Sequence, residues 1–251
     1  MTDALYAAMS MPDSCQLGKR VFKKLFIENG SLTAADKRAF TDDIDTIVWE
    51  YTLKPSTMPV KGYEDDDREY HEVAIIQVNL KTDKRTRRIC EVVHRTIPYP
   101  IFLVLVLPPR IAISVAQKRF SRAEHGAIVA EDIRLTPWMD ADEPDPIHGQ
   151  FIESLALPGL PQTDFFALYT GLVDRVAALE AARLTGEYRL GNSPQQAKER
   201  RDRLADCRGI EQEIADLRAA LKKETHFNRQ VELNTRIKSL EATLKSHAQT
   251  L

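Results

Sequence analysis

The chain has 251 residues, 43% hydrophobic and 29% charged, which is enough for one large domain or for a smaller domain with an extended appendage. The longest apolar run, Ile101–Leu107, has the length of a strand and is too short to cross a membrane. The three cysteines, Cys15, Cys90 and Cys207, lie far apart, which argues against a disulfide scaffold or a zinc knuckle. Because the first residues lack the pattern of a signal peptide, we expect a cytoplasmic protein.

The net charge of −2 is unevenly distributed along the chain. Residues 195–251 contain 12 Lys and Arg against 9 Asp and Glu, a net charge of +3, so residues 1–194 carry −5. A nearly neutral chain is not typical of a protein that coats nucleic acid. The two parts are therefore expected to differ in role.

The first third of the chain is predicted to mix helices with strands. Apolar residues recur at helical spacing over residues 16–28, which predicts an amphipathic helix. The opposite face of this helix is basic and carries Lys19, Arg20, Lys23 and Lys24. Thr33, followed three residues later by Asp36, predicts a capping box that starts a second helix reaching residue 47. A strand is predicted over residues 47–54, where β-forming residues dominate.

Further elements follow an acidic loop at residues 63–69. They are strands at residues 71–81, Ile101–Leu107, 111–118 and 125–137, and a helix at residues 83–95. The continuous apolar run Ile101–Leu107 is typical of a central strand that is covered on both faces. The order ααββαβββ predicts an α+β, or α/β-like, fold with a mixed β-sheet flanked by helices.

The predicted domain organisation has four parts. Residues 1–139 form the sheet domain, and residues 140–162 form a linker rich in Pro and acidic residues, with a short helix. Residues 163–192 form a helix and a turn, and this helix is apolar around much of its circumference, so it must pack against another surface. Residues 193–251 form a long helix, a coiled-coil arm or a helical hairpin.

The last part carries two apolar seams. The first consists of Ile210, Ile214, Leu217 and Leu221, and the second of Leu233, Ile237, Leu240 and Leu244. Twelve residues separate the two seams, so on one straight helix they would differ in direction by roughly 120°. Two alternatives remain open: the chain folds back near residues 222–228, or a continuous helix meets two partners.

Four segments together are similar to one bacterial family. They are Trp49-x-Tyr51-x-Leu53-Lys54-Pro55-x-Thr57, residues 72–81, Ile97-Pro98-Tyr99-Pro100-x-Phe102 and, most specifically, Lys222-Lys223-Glu224-x-x-Phe227-Asn228-Arg229-x-Val231-Glu232-Leu233-Asn234. Over residues 15–247 the chain resembles the family called domain of unknown function 4391. The resemblance implies no established activity. It implies a place beside chromatin-remodeller-type helicases and DNA methyltransferases in restriction-like defence clusters.

The first candidate site is the polar interruption between the two seams. Its predicted partner-binding residues are Lys222, Lys223, Glu224, Phe227, Asn228, Arg229, Val231, Glu232 and Asn234. Phe227 and Val231 are four residues apart and fit neither seam. Two interpretations remain open: a docking or phosphate-contacting face, or a hairpin turn held by polar contacts.

The second candidate is a basic cluster near the start of the helix predicted at residues 83–95. Besides Lys81 it contains Lys84, Arg85, Arg87 and Arg88. Positive charge at a helix N-terminus opposes the helix dipole, so this cluster favours an anionic partner. That partner is either nucleic-acid phosphate or the acidic loop at residues 64–67 of the same chain.

A third hypothesis is a nuclease of the restriction type. Such enzymes hold Mg²⁺ with an acidic residue and an acid-x-Lys pair on the next strand. The catalytic candidates are Glu72 and Lys81, although Asn79-x-Lys81 lacks the second carboxylate. No metal or cofactor is predicted, because the histidines lack metal-ligand spacing and no glycine-rich phosphate loop exists.

We therefore expect a non-catalytic accessory or adaptor protein of a bacterial restriction-modification or phage-defence assembly. Its C-terminal helices would bind a helicase, a methyltransferase or a second copy of the chain. The alternative is a DNA-binding subunit or a divergent Mg²⁺-dependent nuclease that uses the basic helices and Glu72. Neither function requires a membrane.

Overall fold

A computed structural model describes residues 2–29, 32–123, 127–248 and 251. These residues form a seven-stranded mixed sheet, a two-stranded hairpin and a set of α-helices, which confirms the predicted α+β class. The chain divides into two compact units, Met1–Val176 and Ala177–Leu251. The division lies inside a helix, whereas the Pro-rich stretch at residues 140–162 belongs to the first unit.

The strands and helices are numbered in chain order. The strands are β1 (Gln16–Arg20), β2 (Ile44–Leu53), β3 (Tyr63–Glu64), β4 (Glu69–Tyr70), β5 (Val73–Leu80), β6 (Ile101–Leu107), β7 (Arg110–Phe120), β8 (Ile128–Leu135) and β9 (Met139–Asp140). The helices are α1 (Thr2–Ala8), α2 (Lys23–Asn29), α3 (Ala34–Arg38), α4 (Thr86–Thr96), α5 (Pro146–Ser154), α6 (Phe165–Thr185), α7 (Pro194–Leu221) and α8 (Phe227–Ala248).

The large sheet has the strand order β1-β2-β5-β6-β7-β8, and the short β9 also pairs with β7. Neighbouring strands are antiparallel except β5 and β6, which are parallel. A parallel pair needs a long crossover connection, and α4 lies in the segment that joins β5 to β6. The strands β3 and β4 form a separate hairpin within the predicted acidic loop.

The central strand β6 is covered on both faces, as predicted. Its side chains from residue 101 to residue 106 are all buried. One face of the sheet packs against α2 and α4 in a single apolar cluster. On the other face, the Tyr169 hydroxyl donates to the Ile101 carbonyl oxygen (2.7 Å) and accepts from the Ala116 amide (3.0 Å). Tyr169 therefore ties the start of α6 to both β6 and β7.

The prediction of one amphipathic helix at residues 16–28 is wrong. The segment forms β1 at the edge of the sheet, and α2 begins only at Lys23. Gly18 has a φ of +60°, which no right-handed helix contains, and β1 pairs with β2. Leu17 and Phe22, which the helical spacing assigned to a buried face, are exposed. The free edge of β2 supplies hydrogen-bond partners that outweigh a weak local helical pattern.

The capping box predicted for the second helix is confirmed. The Asp36 amide donates to Thr33 Oγ1 (3.2 Å), and the Thr33 amide donates to Asp36 Oδ2 (3.0 Å). The helix is shorter than predicted, because α3 ends at Arg38 and a π-helical turn of five residues leads directly into β2. Residues 44–47 were predicted as helix and are the first residues of β2.

The remaining elements of the first unit follow the predicted order with small shifts. The helix predicted from residue 83 begins at Thr86, and the short helix predicted after residue 146 is α5. The last predicted strand is β8, and residues 125 and 126, where its start was placed, lie outside the described residues. The predicted order is corrected mainly at its start, where β1 precedes α2 and α3.

The C-terminal part is a helical hairpin, which decides between the two alternatives. Ser193 caps α7 by accepting a hydrogen bond from the Gln196 amide (3.2 Å), with Pro194 as the first helical residue. The helix ends at Leu221, and α8 starts again at Phe227. Because the chain turns between the two helices, the two seams can face each other, which they could not do on one straight helix. No described helix has both the length and the apolar character needed to cross a membrane.

The two seams, except for Leu233, pack against each other within the hairpin. The shared cluster contains Ile210, Ile214, Leu217, Leu221, Ile237, Leu240 and Leu244. Ion pairs between the two helices join Arg218 to Glu241 (2.7 Å) and Arg236 to Glu213 (2.9 Å). Because these pairs are exposed, they add little to stability, and the apolar cluster holds the hairpin together.

Candidate functional site

The turn between α7 and α8 is built by local hydrogen bonds. Lys222 is the C-cap residue of α7. The Glu224 carboxylate accepts from the amides of Thr225 (2.8 Å) and His226 (2.9 Å), and these bonds, His226 first, hold the pKa of Glu224 below its usual value. The Gln230 side chain donates to the Glu224 carbonyl oxygen (2.7 Å). Glu224 therefore has a structural role in the turn.

The exposed side chains around this turn form what we call the tip surface: Lys222, Lys223, Phe227, Arg229 and Val231. Phe227 is 75% exposed and Val231 is 47% exposed, so the apolar pair on α8 faces solvent. Aromatic and arginine side chains are the residues most often found at the centre of protein interfaces. The predicted residues Asn228, Glu232 and Asn234 are exposed along the first turns of the same helix.

The predicted catalytic pair Glu72 and Lys81 does not form one site. Glu72 precedes the first residue of β5 and Lys81 follows the last, so nine residue steps separate them. At about 3.3 Å per residue the two side chains start roughly 30 Å apart. Burial raises the pKa of Glu72, and Lys81 is exposed.

Strands β2 and β5 are the neighbours that a restriction-type nuclease site would require. In the register of this pair, Thr46 lies opposite Asn79. The Asn79 side chain donates to Thr46 Oγ1 (2.7 Å) and accepts from Gln77 (2.9 Å), and Gln77 accepts from the Tyr6 hydroxyl (3.0 Å). Uncharged side chains therefore occupy the positions on β2 and β5 at which such a nuclease site would need carboxylates. Among the described residues, no group of three or more His, Cys, Asp or Glu is placed to hold a metal ion.

Two arginines of the basic cluster at the start of α4 are engaged within the chain. Arg85 donates to both carboxylate oxygens of the buried Asp43 (2.5 and 2.8 Å). Arg88 does the same with the buried Asp36 (2.6 and 2.8 Å), and its hydrogen bonds hold the pKa of the Asp36 carboxyl well below its usual value. These acids are not in the loop at residues 64–67, so that predicted internal partner is wrong. Of this predicted nucleic-acid-binding set, only Lys84 and Arg87 are exposed.

A second basic surface lies between β1 and α2, where the sequence predicted a helix. A cavity of about 260 Å³ opens there, which we call the N-terminal basic cavity, and its lining includes Arg20, Phe22, Lys23, Lys24, Asp45 and Thr46. Phe22 is 71% exposed. Burial, together with the charges of Lys81 and Arg20, lowers the pKa of Lys23. The helical spacing of the sequence reveals these cations, but it wrongly predicts a buried position for Phe22.

Comparison with known protein families gives one match. The profile of the family described as "Domain of unknown function (DUF4391)" matches residues 9–244. The chain is a member of the DUF4391 family. Searches of curated proteins and of solved structures found no match. The DUF4391 match covers the hairpin turn as well as the sheet, so it extends over most of both units.

The DUF4391 sheet also contains buried polar groups that the sequence did not reveal. Lys118 on β7 donates to the carbonyl oxygens of His94 and Ile97 (2.7 Å to Ile97) at the C-terminal end of α4. His94 Nε2 lies 3.0 Å from Ser114 Oγ, and burial lowers the pKa of His94 to about 3, so its ring is neutral. Because Lys118, His94 and Ser114 are all buried, this cluster joins α4 to the sheet.

Removing Arg88 is expected to destabilise the chain, because it leaves the buried Asp36 carboxylate without its counter-charge. We expect Arg88→Ala to lower the free energy of unfolding by about 2 kcal/mol. Arg87→Ala on the same helix, where Arg87 is exposed, should change it by less than about 0.5 kcal/mol. Urea denaturation of the two variants measures the difference, and equal effects would contradict the assignment.

Lys118 is expected to make stability depend on pH. Burial lowers its pKa from 10.5 to about 7 in the folded chain, so between these values the unfolded chain binds more protons. The free energy of unfolding should therefore rise with pH in this window, by about 1 kcal/mol per pH unit relative to Lys118→Met. Urea denaturation of both proteins at about pH 7, 8 and 9 tests this. Parallel pH dependences would show that Lys118 does not titrate in this range.

Proposed function

We propose that this DUF4391 chain is a non-catalytic accessory protein of a bacterial restriction-modification or phage-defence assembly, and that its tip surface docks on a partner protein. The observation that carries the proposal is the 75% exposure of Phe227 on a turn whose backbone is held by hydrogen bonds. Burying a phenylalanine side chain stabilises a complex by roughly 2–3 kcal/mol. The fixed turn lowers the conformational entropy lost on binding.

The charges around Phe227 indicate the chemistry of the partner. Lys222, Lys223 and Arg229 flank the apolar pair, and Arg229 lies at the limit of ion-pair distance from Glu224 (3.9 Å). A complementary surface would offer an apolar pocket for Phe227 with carboxylates around it. Two copies of the tip surface would bring like charges together, so a different protein is favoured over self-association.

The nature of the partner comes from the family resemblance. The resemblance implies a place for this family beside helicases of the chromatin-remodeller type and DNA methyltransferases. We propose one of these as the partner. The positive charges of the tip surface would then help to hold this accessory protein on the larger enzyme.

The double variant Phe227→Ser, Val231→Ser tests this docking. Because both side chains are exposed, the melting temperature should change little. Capture of the co-expressed helicase or methyltransferase by the tagged full-length chain should fall by about tenfold or more. Quantitative pull-down followed by size-exclusion chromatography measures the loss.

A matched control is Phe22→Ser in the first unit. Phe22 is 71% exposed, close to the value of Phe227, so the substitution removes a similar apolar area from a different surface. Partner capture should be unchanged in this variant. Equal loss in both variants, or no loss in the tip variant, would contradict docking at the tip surface.

DNA binding is the second candidate function, and the N-terminal basic cavity favours it. Exposed Phe22 lies among Arg20, Lys23 and Lys24, which is the combination of stacking surface and cations found in proteins that bind single-stranded nucleic acid. Phosphate groups would offset the repulsion between these cations. The geometry lends no support to the Mg²⁺-dependent nuclease form of this candidate, because Glu72 and Lys81 lie apart.

Charge reversal at this cavity tests DNA binding. Arg20→Glu with Lys24→Glu, both exposed, should weaken binding of a labelled oligo(dT) strand by about tenfold or more at low salt, and Phe22→Ser should weaken it less. Lys23 is left unchanged, because its Nζ donates to the Ile44 carbonyl oxygen (2.5 Å). The control is Arg87→Glu, an exposed reversal on α4. Arg85 and Arg88 are unsuitable, because reversing them breaks buried ion pairs. Fluorescence anisotropy measures the affinities, and no binding at low salt removes this candidate.

A further inference from the structure

The second unit contains a cavity that neither proposed function uses. It measures about 440 Å³, within the range typical of small-molecule sites. Ala178, Ala181 and Leu184 from the end of α6 form an apolar part of its wall. Its charged lining consists of Glu187, Arg189, Arg200 and Lys245, so the cavity combines an apolar surface with an excess of positive charge.

Arg200 is the unusual residue of this cavity. Its Nε atom is buried and has no hydrogen-bond partner, and burial lowers the pKa of the guanidinium. Within the described part of the chain, no carboxylate lies at ion-pair distance from Arg200 or from Lys245. Burying a guanidinium donor without a partner destabilises the folded chain, so an anion at this position would recover that free energy.

Arg189 differs from Arg200, because it forms an ion pair with Glu187. The four charged side chains of the lining therefore carry a net charge of +2. A second cavity of about 380 Å³ shares Arg189 and Arg200 with the first. The two guanidinium groups thus lie where a ligand in either cavity would meet them. A phosphate monoester carries close to two negative charges at neutral pH, which suits a group of side chains with an excess of positive charge.

We propose that this cavity binds a small organic phosphate. The phosphate group lies against Arg200 and Lys245, with Arg189 beside it, and the organic body lies on the alanine and leucine wall. Guanidinium groups suit this role because their fork of N–H donors matches phosphate oxygens. Binding here is independent of docking at the tip surface, which lies at the other end of α8.

Isothermal titration of the full-length chain tests this proposal with three probes that share a phosphate and differ in the organic body: phenyl phosphate, adenosine 5′-monophosphate and glucose 6-phosphate. We expect at least one probe to bind with one-to-one stoichiometry and more tightly than inorganic phosphate. Arg200→Gln and Lys245→Gln should each weaken that binding by about tenfold. Lys238→Gln, an exposed change on the same helix as Lys245, is the matched control and should leave it unchanged.

The melting temperature of the unliganded chain separates a ligand-binding arginine from a structural one. Because Arg200 has a buried donor without a partner, Arg200→Gln should leave the melting temperature unchanged or raise it. A clear fall in melting temperature would assign Arg200 to folding and overturn the proposal. It would also be overturned if no probe bound at 1 mM, if inorganic phosphate bound equally well, or if both cavity variants bound like wild type.

Discussion

The fold depends on the burial of the parallel strands β5 and β6 between two layers of helix. Water cannot reach the middle of this sheet, so every polar group there needs a partner within the chain. Tyr169 meets this requirement by bonding to backbone atoms of β6 and β7, and Lys118 by donating to the end of α4. The buried acids Asp36 and Asp43 meet it through arginines of the crossover helix. These buried polar residues therefore help to hold the layers of the first unit together.

Much of the fold could be predicted where local pattern and tertiary structure agree. The run Ile101–Leu107 is a strand with the predicted limits, because an uninterrupted apolar segment has no stable place except between two layers. The capping box at Thr33 is equally local, and its hydrogen bonds formed as expected. Residues 16–28 were mispredicted because their helical spacing competes with the open edge of β2, which lies about 30 residues further along the chain. The periodicity of a segment does not show that it pairs with a strand so far away in the sequence.

In the candidate sites too, features that depend on neighbouring residues were predictable, and features that depend on residues far away in sequence were not. The interruption between the two apolar seams was recognisable, because a polar segment there disrupts a regular pattern, but the sequence left open whether the chain turns back at that point. Arg85 and Arg88 looked like a free basic cluster, since their acidic partners are 42 and 52 residues away in sequence. The unpartnered donor of Arg200 has no sequence signature at all, because it depends on what three helices leave uncovered. A charged side chain has a structural role when it is buried and paired, and it is available for binding when it is neither. Only the three-dimensional structure shows its burial and its pairing.

We propose that the exposed turn of the hairpin, and not the sheet, carries the protein's recognition surface. Hydrogen–deuterium exchange of the full-length chain, alone and in complex with the co-expressed helicase or methyltransferase, tests it most directly. We expect slower exchange on complex formation at the backbone amides of residues 222–234, with little change in the strands. Unchanged exchange at those amides, with protection confined to residues 16–29, would contradict it.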